Sequence, residues 1–280
     1  MTSGTLYLVA TPIGNLEDLT YRARRILGEV DLIACEDTRH TRLLLTHYGI
    51  TTPAVSFHEH NEASRGPELL ARLRRGERIA VVSDAGTPAL SDPGYVLVRE
   101  ATAAGIPVVS VPGPSAVMVA LTASGLPTDR FLFLGFLPRR AGERRRALEA
   151  VAALPFTLVL FEAPHRITAV LEDIRETLGD RRVALGRELT KKFEEIVRGT
   201  AGEAAAHLRA HPPRGEFTIV VEGAGERPQG TEGKADAAER MRELLAAGLP
   251  PGDAVQGVMR SSGLSRREAY DLMLRVRGKR

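Results

Sequence analysis

Short apolar runs alternate with amphipathic stretches through the first half of the chain. Residues 5–10, 31–35, 79–83 and 107–111 read as strands, and 21–27, 38–47, 68–75, 96–104 and 115–123 as helices. In 68–75 the apolar residues Leu69, Leu70 and Leu73 share one face, and Gly105 ends the helix before it. Strands alternating with helices predict a parallel sheet covered on both faces. Past Ser124-Gly125-Leu126-Pro127 the spacing changes. Strands at 131–135 and 157–161 flank a helix, and another helix runs from about 166 to 178. Strands at 183–187, 194–198 and 217–221 then follow with little helix between them. That spacing predicts antiparallel pairing in a mixed sheet. A Gly-, Glu- and Pro-rich stretch at 223–233 reads as a linker, and helices at 235–247, 251–261 and 265–275 follow it. Pro251 suits a first helical turn, and Ser265 with Glu268 has the spacing of a capping box. The expected organisation is an α/β domain over 1–123, a second α/β domain with a mixed sheet over 124–224, a linker over 225–234 and a helical module over 235–280. The module is either a nucleic-acid-binding appendage or an element for packing and dimerisation.

Composition adds limits. With 43% hydrophobic residues in 280, burial can drive folding without metals or disulfides. Cys35 is the sole cysteine, which excludes an intrachain disulfide and fits a reducing compartment. Met1-Thr2-Ser3-Gly4 lacks the basic and apolar regions of a signal peptide, and the apolar runs are too short to span a bilayer. A cytoplasmic protein without a membrane partner is expected. The net charge of +3 is modest, but arginine is clustered, at Arg139, Arg140, Arg144, Arg145 and Arg146, at Arg266 and Arg267, and in a tail of Arg275, Arg277, Lys279 and Arg280. Guanidinium forks bind phosphate well, so Arg139, Arg140, Arg144 and Arg145 are candidate RNA contacts; the other reading is solvated helix faces.

Ligands of open parallel sheets bind beyond the carboxyl ends of the strands. The loops there carry no G-x-G-x-x-G, and no G-x-x-x-x-G-K-[ST] occurs anywhere in the chain. Common dinucleotide-binding, Rossmann-type methyltransferase and P-loop readings are therefore disfavoured. The most distinctive loop is Ser83-Asp84-Ala85-Gly86-Thr87-Pro88-Ala89-Leu90-Ser91-Asp92-Pro93-Gly94. Its glycines permit close ligand approach and its prolines stiffen it. Taken alone, Asp84 also reads as a turn or helix-cap residue.

This loop resembles the signature of the bacterial 16S rRNA 2′-O-ribose methyltransferase I family, a branch of the tetrapyrrole methylases. Four further stretches agree, in order: Val9-Ala10-Thr11-Pro12-Ile13-Gly14-Asn15-Leu16, Val111-Pro112-Gly113-Pro114-Ser115-Ala116, Phe161-Glu162-Ala163-Pro164-His165-Arg166 and Arg187-Glu188-Leu189-Thr190-Lys191. The resemblance runs from about Thr5 to Glu222 and extends more weakly to the helical tail. It implies two α/β domains with S-adenosylmethionine in the cleft between them, a homodimer, and methylation of a cytidine ribose in the decoding region of 16S rRNA, within the 30S subunit. It places Asp84, Gly86 and Thr87 in the loop that holds the cofactor, Ser115 and Ala116 at a second contact, and Pro12 and Gly14 at the first cofactor loop. Phe161 and Phe217 map to strand ends of the second domain. The Thr11-Pro12-Ile13 loop departs from the glycine-rich loop of true tetrapyrrole methylases, which counts against a porphyrin or corrin substrate. That substrate, or a non-catalytic ribosome-assembly role, is the alternative.

A ribose hydroxyl needs a base or a polarising cation. Lys191, with Glu188 as partner or base, is the candidate; a structural ion pair is the other reading. A lysine base would need its pKa lowered by burial or by Arg187 and Lys192, and an extended backbone would point Lys192 away. His165 and His58 are the reserve candidates. His58-Glu59-His60-Asn61-Glu62 has the look of a metal cluster but reads better as a loop lining the substrate, so no metal is expected. Cys35 ends a buried strand and reads as core.

Overall fold

The computed structural model describes residues 4–224, 234–247, 249–262, 264 and 266–278. They fall into two compact units, Met1–Val151 with Phe156–Glu222, and Ala152–Pro155 with Gly223–Arg280.

The first half of the larger unit is a five-stranded parallel sheet. Its strands are β1 (Thr5–Val9), β2 (Leu32–Cys35), β3 (Ala54–Ser56), β4 (Arg78–Val82) and β5 (Val108–Val111), in the order β3-β2-β4-β1-β5. The helices are α1 (Tyr21–Glu29), α2 (Thr38–His47), α3 (Glu62–Arg74), α4 (Tyr95–Ala103) and α5 (Ala116–Ala123). Alternate strand residues serve opposite faces. Val9, Ile33, Cys35, Ala80 and Val82 pack with Ile26 and Leu27 of α1 and Leu44 and Leu45 of α2. Leu6, Leu32, Ala34, Ile79 and Val81 pack with Leu69 and Leu73 of α3 and Leu97 of α4. Burial on both faces is why these strands read as continuous apolar runs. Thr20 and Asp37 start α1 and α2 by accepting from the amides of Ala23 and Arg39, at 3.1 and 2.8 Å.

The second half is a mixed five-stranded sheet, as its spacing predicts. Its strands are β6 (Phe131–Phe136), β7 (Thr157–Glu162), β8 (Arg182–Arg187), β9 (Glu195–Thr200) and β10 (Phe217–Val221), in the order β6-β7-β10-β8-β9. Only β6 and β7 pair in parallel. The helices are α6 (Ala141–Glu149), α7 (Ile167–Leu178) and α8 (Ala201–Ala210). α5 follows the last strand of the first sheet, yet its Val117, Ala120 and Leu121 pack on Val159, Ala184 and Val220 of the second. The two halves thus share one core element across the expected boundary at residue 124.

Three elements differ from expectation. Edge strand β3 is not among the elements that the pattern predicts. α3 begins at Glu62, ahead of residue 68, because the helix runs through Pro67 in its second turn and forfeits one backbone hydrogen bond. α8 occupies ground expected to hold little helix; the Thr200 side chain and the Glu203 carboxylate form a reciprocal capping box that starts it.

In the smaller unit, α9 (Lys234–Ala246), α10 (Pro251–Ser262) and α11 (Arg266–Val276) bury Met241, Val255, Val258 and Met273 among themselves. Most of the expected linker, the Ser265 cap and the last two residues of the basic tail lie outside the described residues.

A candidate active site where the strand ends meet

The loops after β1, β4 and β5 are tied to one another. Thr11 and Gly86 exchange backbone hydrogen bonds of 2.9 and 3.0 Å. Thr11 Oγ1 donates to the Ser83 carbonyl at 3.0 Å, and Thr87 Oγ1 to the Pro114 carbonyl at 3.4 Å. Gly86 has φ +82°, a backbone that favours glycine, and a Cβ there would lie a tight 3.3 Å from the Ile13 side chain. Asp84 accepts from the Asp37 amide at 3.0 Å, so it also ties its loop to the entry of α2.

Two adjoining chambers open among these loops. The first, about 600 Å³, is lined by Asp84, Gly86, Thr87, Ser115 and Ala116 on one side and by Phe161, Phe217, Glu188 and Lys191 on the other. The second, about 510 Å³, is lined by Pro12, Gly14, His40, Leu43, Asp84 and Lys191. All the residues mapped to the cofactor or to catalysis therefore gather here, but Pro12 and Gly14 face the second chamber alone.

The first chamber is acidic. Glu36, Asp92, Glu162 and Glu216, none of them among the expected site residues, join Asp84 and Glu188 in its lining. Burial pushes the Asp92 carboxyl up to about 6; a hydrogen bond with Ser83 opposes the rise, and Glu36, Asp84 and Glu216 add to it. Glu36 is held above the usual carboxylate range, by burial first and by Asp84 next. Glu162 has its own partner: only 1% exposed, it lies 3.2 Å from Arg166, whose guanidinium also donates to the carbonyls of Leu137 and Pro138. Phe161 packs edge-on against Phe133, their centroids 5.0 Å apart, and gives the chamber an aromatic wall. The arrangement suits a cationic ligand with a flat apolar part.

Lys191 Nζ lies 2.9 Å from Glu188 Oε1. The segment is not extended. Glu188 and Thr190 have φ of +49° and +65°, and the Lys191 amide bonds the Glu188 carbonyl at 3.0 Å. This turn, not strand alternation, sends Lys191 into the chambers and Lys192 outward over the Phe193 ring. Arg187 is 3.2 Å from Glu195, so the charged neighbour of Lys191 is a carboxylate. Among the described residues, the non-glycine positions at positive φ are these two and Ala89 and Ser91 of the 83–94 loop. All four lie in loops that form the chambers. Such backbone costs roughly 1–3 kcal/mol each and collects at functional sites.

A family profile described as Tetrapyrrole (Corrin/Porphyrin) Methylases matches residues 5–205. A protein of Halalkalibacterium halodurans named Ribosomal RNA small subunit methyltransferase I is 47% identical over 272 residues, which cover 96% of this chain and 94% of that one. A protein of the same name from Escherichia coli O157:H7 is 47% identical over 280 residues, covering 99% and 97%. The chain belongs to the ribosomal RNA small subunit methyltransferase I family.

Solved structures share the fold of this methyltransferase family. Diphthine synthase superposes with a TM-score of 0.63 at 14% identity, over 79% of this chain and 90% of that one. Uroporphyrin-III C-methyltransferase from Thermus thermophilus, solved with S-adenosylhomocysteine, gives 0.56 at 23%, over 80% and 99%.

The four arginines expected to contact RNA divide. Arg139 and Arg140 are exposed between β6 and α6, close in sequence to Phe136, which lines the first chamber. Arg144 is not available to phosphate: it is 6% exposed, and its Nε donates to Asp173 at 2.6 Å. Arg145 shares Asp173 and reaches Glu176 at 3.3 Å. Arg144 falls inward because it shares a helix face with the buried Leu148. His165 and His58 line neither chamber, and no residue of the 58–62 segment does, so the expected substrate-lining loop is not part of either wall. Cys35 is buried, and burial pushes its thiol up.

Proposed function

We propose that this chain methylates the ribose 2′-hydroxyl of a cytidine in the decoding region of 16S rRNA, using S-adenosylmethionine, and that it does so as a cytoplasmic homodimer acting on the 30S subunit. The observation that carries the reading is the position of Lys191, between an acidic, aromatic-walled chamber and a second chamber beside it. The first chamber fits the cofactor. Glu36, Asp84, Asp92 and Glu216 form no ion pair among the described residues, and a sulfonium and an ammonium supply the missing cations, while Phe161 and Phe217 offer apolar surface to an adenine. Bound there, the cofactor supplies a methyl group that forms a C–O bond as the C–S bond breaks, the electron pair staying on sulfur and the hydroxyl proton leaving.

The chain's own residues orient and polarise. Asp84, Gly86, Thr87, Ser115 and Ala116 hold one side of the ligand, and Phe161 and Phe217 the other. The Lys191 ammonium stabilises negative charge developing on the ribose oxygen. Glu188 keeps Lys191 in place and is the carboxylate that takes the proton in this reading. Arg139 and Arg140 supply phosphate contacts outside the cleft.

The test is incubation with methyl-labelled S-adenosylmethionine and three acceptors: 30S subunits lacking the modification, naked 16S rRNA and a porphyrinogen. Label recovered as a 2′-O-methylcytidine from rRNA is the expected result. Label in the porphyrinogen alone refutes it in favour of a tetrapyrrole methylase, and label in none refutes it in favour of a non-catalytic factor.

A further inference from the structure

We propose that the second chamber is the site of the target nucleoside, which enters it turned out of the RNA strand with its base between Leu16, His40 and Leu43. The proposal rests on the methyl-transfer reading above. Transfer between two bound molecules needs two sites that meet where the reacting atoms meet. The two chambers share such a seam: Ile13, Asp84, Ala85, Lys191 and Glu216 line both. Thr87, Ser115, Phe161 and Phe217 line the first alone, and Pro12, Gly14 and His40 the second alone. Pro12 and Gly14 are accordingly reassigned from the cofactor to the nucleoside.

The rim of the second chamber has the chemistry of a base pocket. Leu16 and Leu43 are 39% and 70% exposed, and both line it. Exposed leucines at a cavity mouth give a flat base apolar surface, and the His40 ring adds a hydrogen-bonding edge. The Leu16 loop is fastened, since the Tyr48 hydroxyl donates to the Leu16 carbonyl. Gly14 is what leaves room for Lys191 at the seam: a Cβ there would lie 2.3 Å from Lys191 Cγ.

The surroundings favour an anionic strand. Arg22 and Arg24 on α1 and Arg42 on α2 are exposed and form no ion pair among the described residues. Both helices cover the same face of the first sheet, and the Arg24 guanidinium sits 5.6 Å from the Tyr48 ring centroid, just past α2. These cations can hold the phosphates flanking a turned-out nucleotide. Glu36, Asp92, Glu162 and Glu188 line the first chamber alone and disfavour the same strand there.

The experiment pairs His40→Trp and Leu43→Trp. Both positions are exposed, so a larger side chain fills the chamber mouth without entering the core. Calorimetric titration with S-adenosylmethionine reports folding and the first chamber, and single-turnover methylation of 30S subunits reports the second. The expected result is cofactor affinity within about twofold of wild type and methyl transfer slowed by about 10²-fold. Cofactor affinity lost together with transfer overturns the proposal, because the second chamber then holds part of the cofactor. Wild-type transfer by both variants overturns it as well. If the unmodified protein transfers no methyl group to 30S subunits, the underlying reading fails instead.

Discussion

Affinity for the proposed cofactor should depend on pH through Asp92. Its carboxyl sits at about 6 in the ligand-free protein, against an ordinary value of 3.8, because it is buried among Glu36, Asp84 and Glu216. A cation in the chamber favours the ionised form, so binding releases a proton wherever Asp92 is still protonated. With a pKa of about 6, roughly 9% of the carboxyl is ionised at pH 5 and roughly 99% at pH 8, so affinity should fall about tenfold between the two. Glu36 is also raised and adds to the slope in the same direction. Titration calorimetry from about pH 5 to 8, in two buffers of different ionisation enthalpy, measures both the affinity and the protons released. Asp92→Asn should bind more weakly near pH 8 and show a much flatter profile. A flat wild-type profile, or an Asn variant with the wild-type slope, would refute the reasoning. The same shift sets the sign for stability without ligand. A carboxyl raised in the folded state stabilises the fold most below its unfolded pKa. That contribution is lost as pH rises from about 4 to about 6.

Asp173→Ala should leave the buried Arg144 without its partner and cost about 3–5 kcal/mol in urea denaturation, and a loss below about 1 kcal/mol would contradict the buried pair. Gly14→Ala should displace Lys191 and slow single-turnover transfer about tenfold or more with cofactor affinity retained; an unchanged rate would show that Lys191 tolerates the shift. Lys191→Ala should reduce turnover at saturating cofactor while Lys192→Ala does little, because the turn sends the second side chain outward; equal effects would count against a role for Lys191 at the reacting oxygen. Arg139→Ala with Arg140→Ala should weaken RNA binding and flatten its salt dependence, by about one unit of slope for each phosphate no longer neutralised, and an unchanged slope would mark both as solvated.

The parallel sheet is legible because strands buried on both faces write themselves as apolar runs, as Ile79–Val82 shows. α8 escapes the pattern, since its Ala-rich stretch has little amphipathic contrast, although Thr200 followed by Glu203 carries the start signal. β3 is too short for a period to register. In the site, the motif loops converge as the resemblance implies. The acidity of the first chamber is hidden in the sequence because Glu36, Asp92 and Glu216 come from loops after β2 and β4 and before β10, and only folding brings them together. The inward turn of Arg144 does leave a trace, since Leu148 follows it at helical spacing with another apolar residue at Val151. A run of consecutive arginines conceals which one points inward.

α5 has a consequence for how the chain is made. During synthesis the first sheet is complete when β5 emerges, and α5 follows at once. The strands it covers, β7, β8 and β10, arrive later, the last of them ending at Val221. Until then Val117, Ala120 and Leu121 lack part of the surface they bury against, and before β7 emerges the nascent first half carries a largely exposed apolar helix at its growing end. A gene split after residue 123 would make that interval permanent. The first fragment would keep a sound sheet and still be prone to self-association, whereas a split before α5 would hand the helix to the half that needs it.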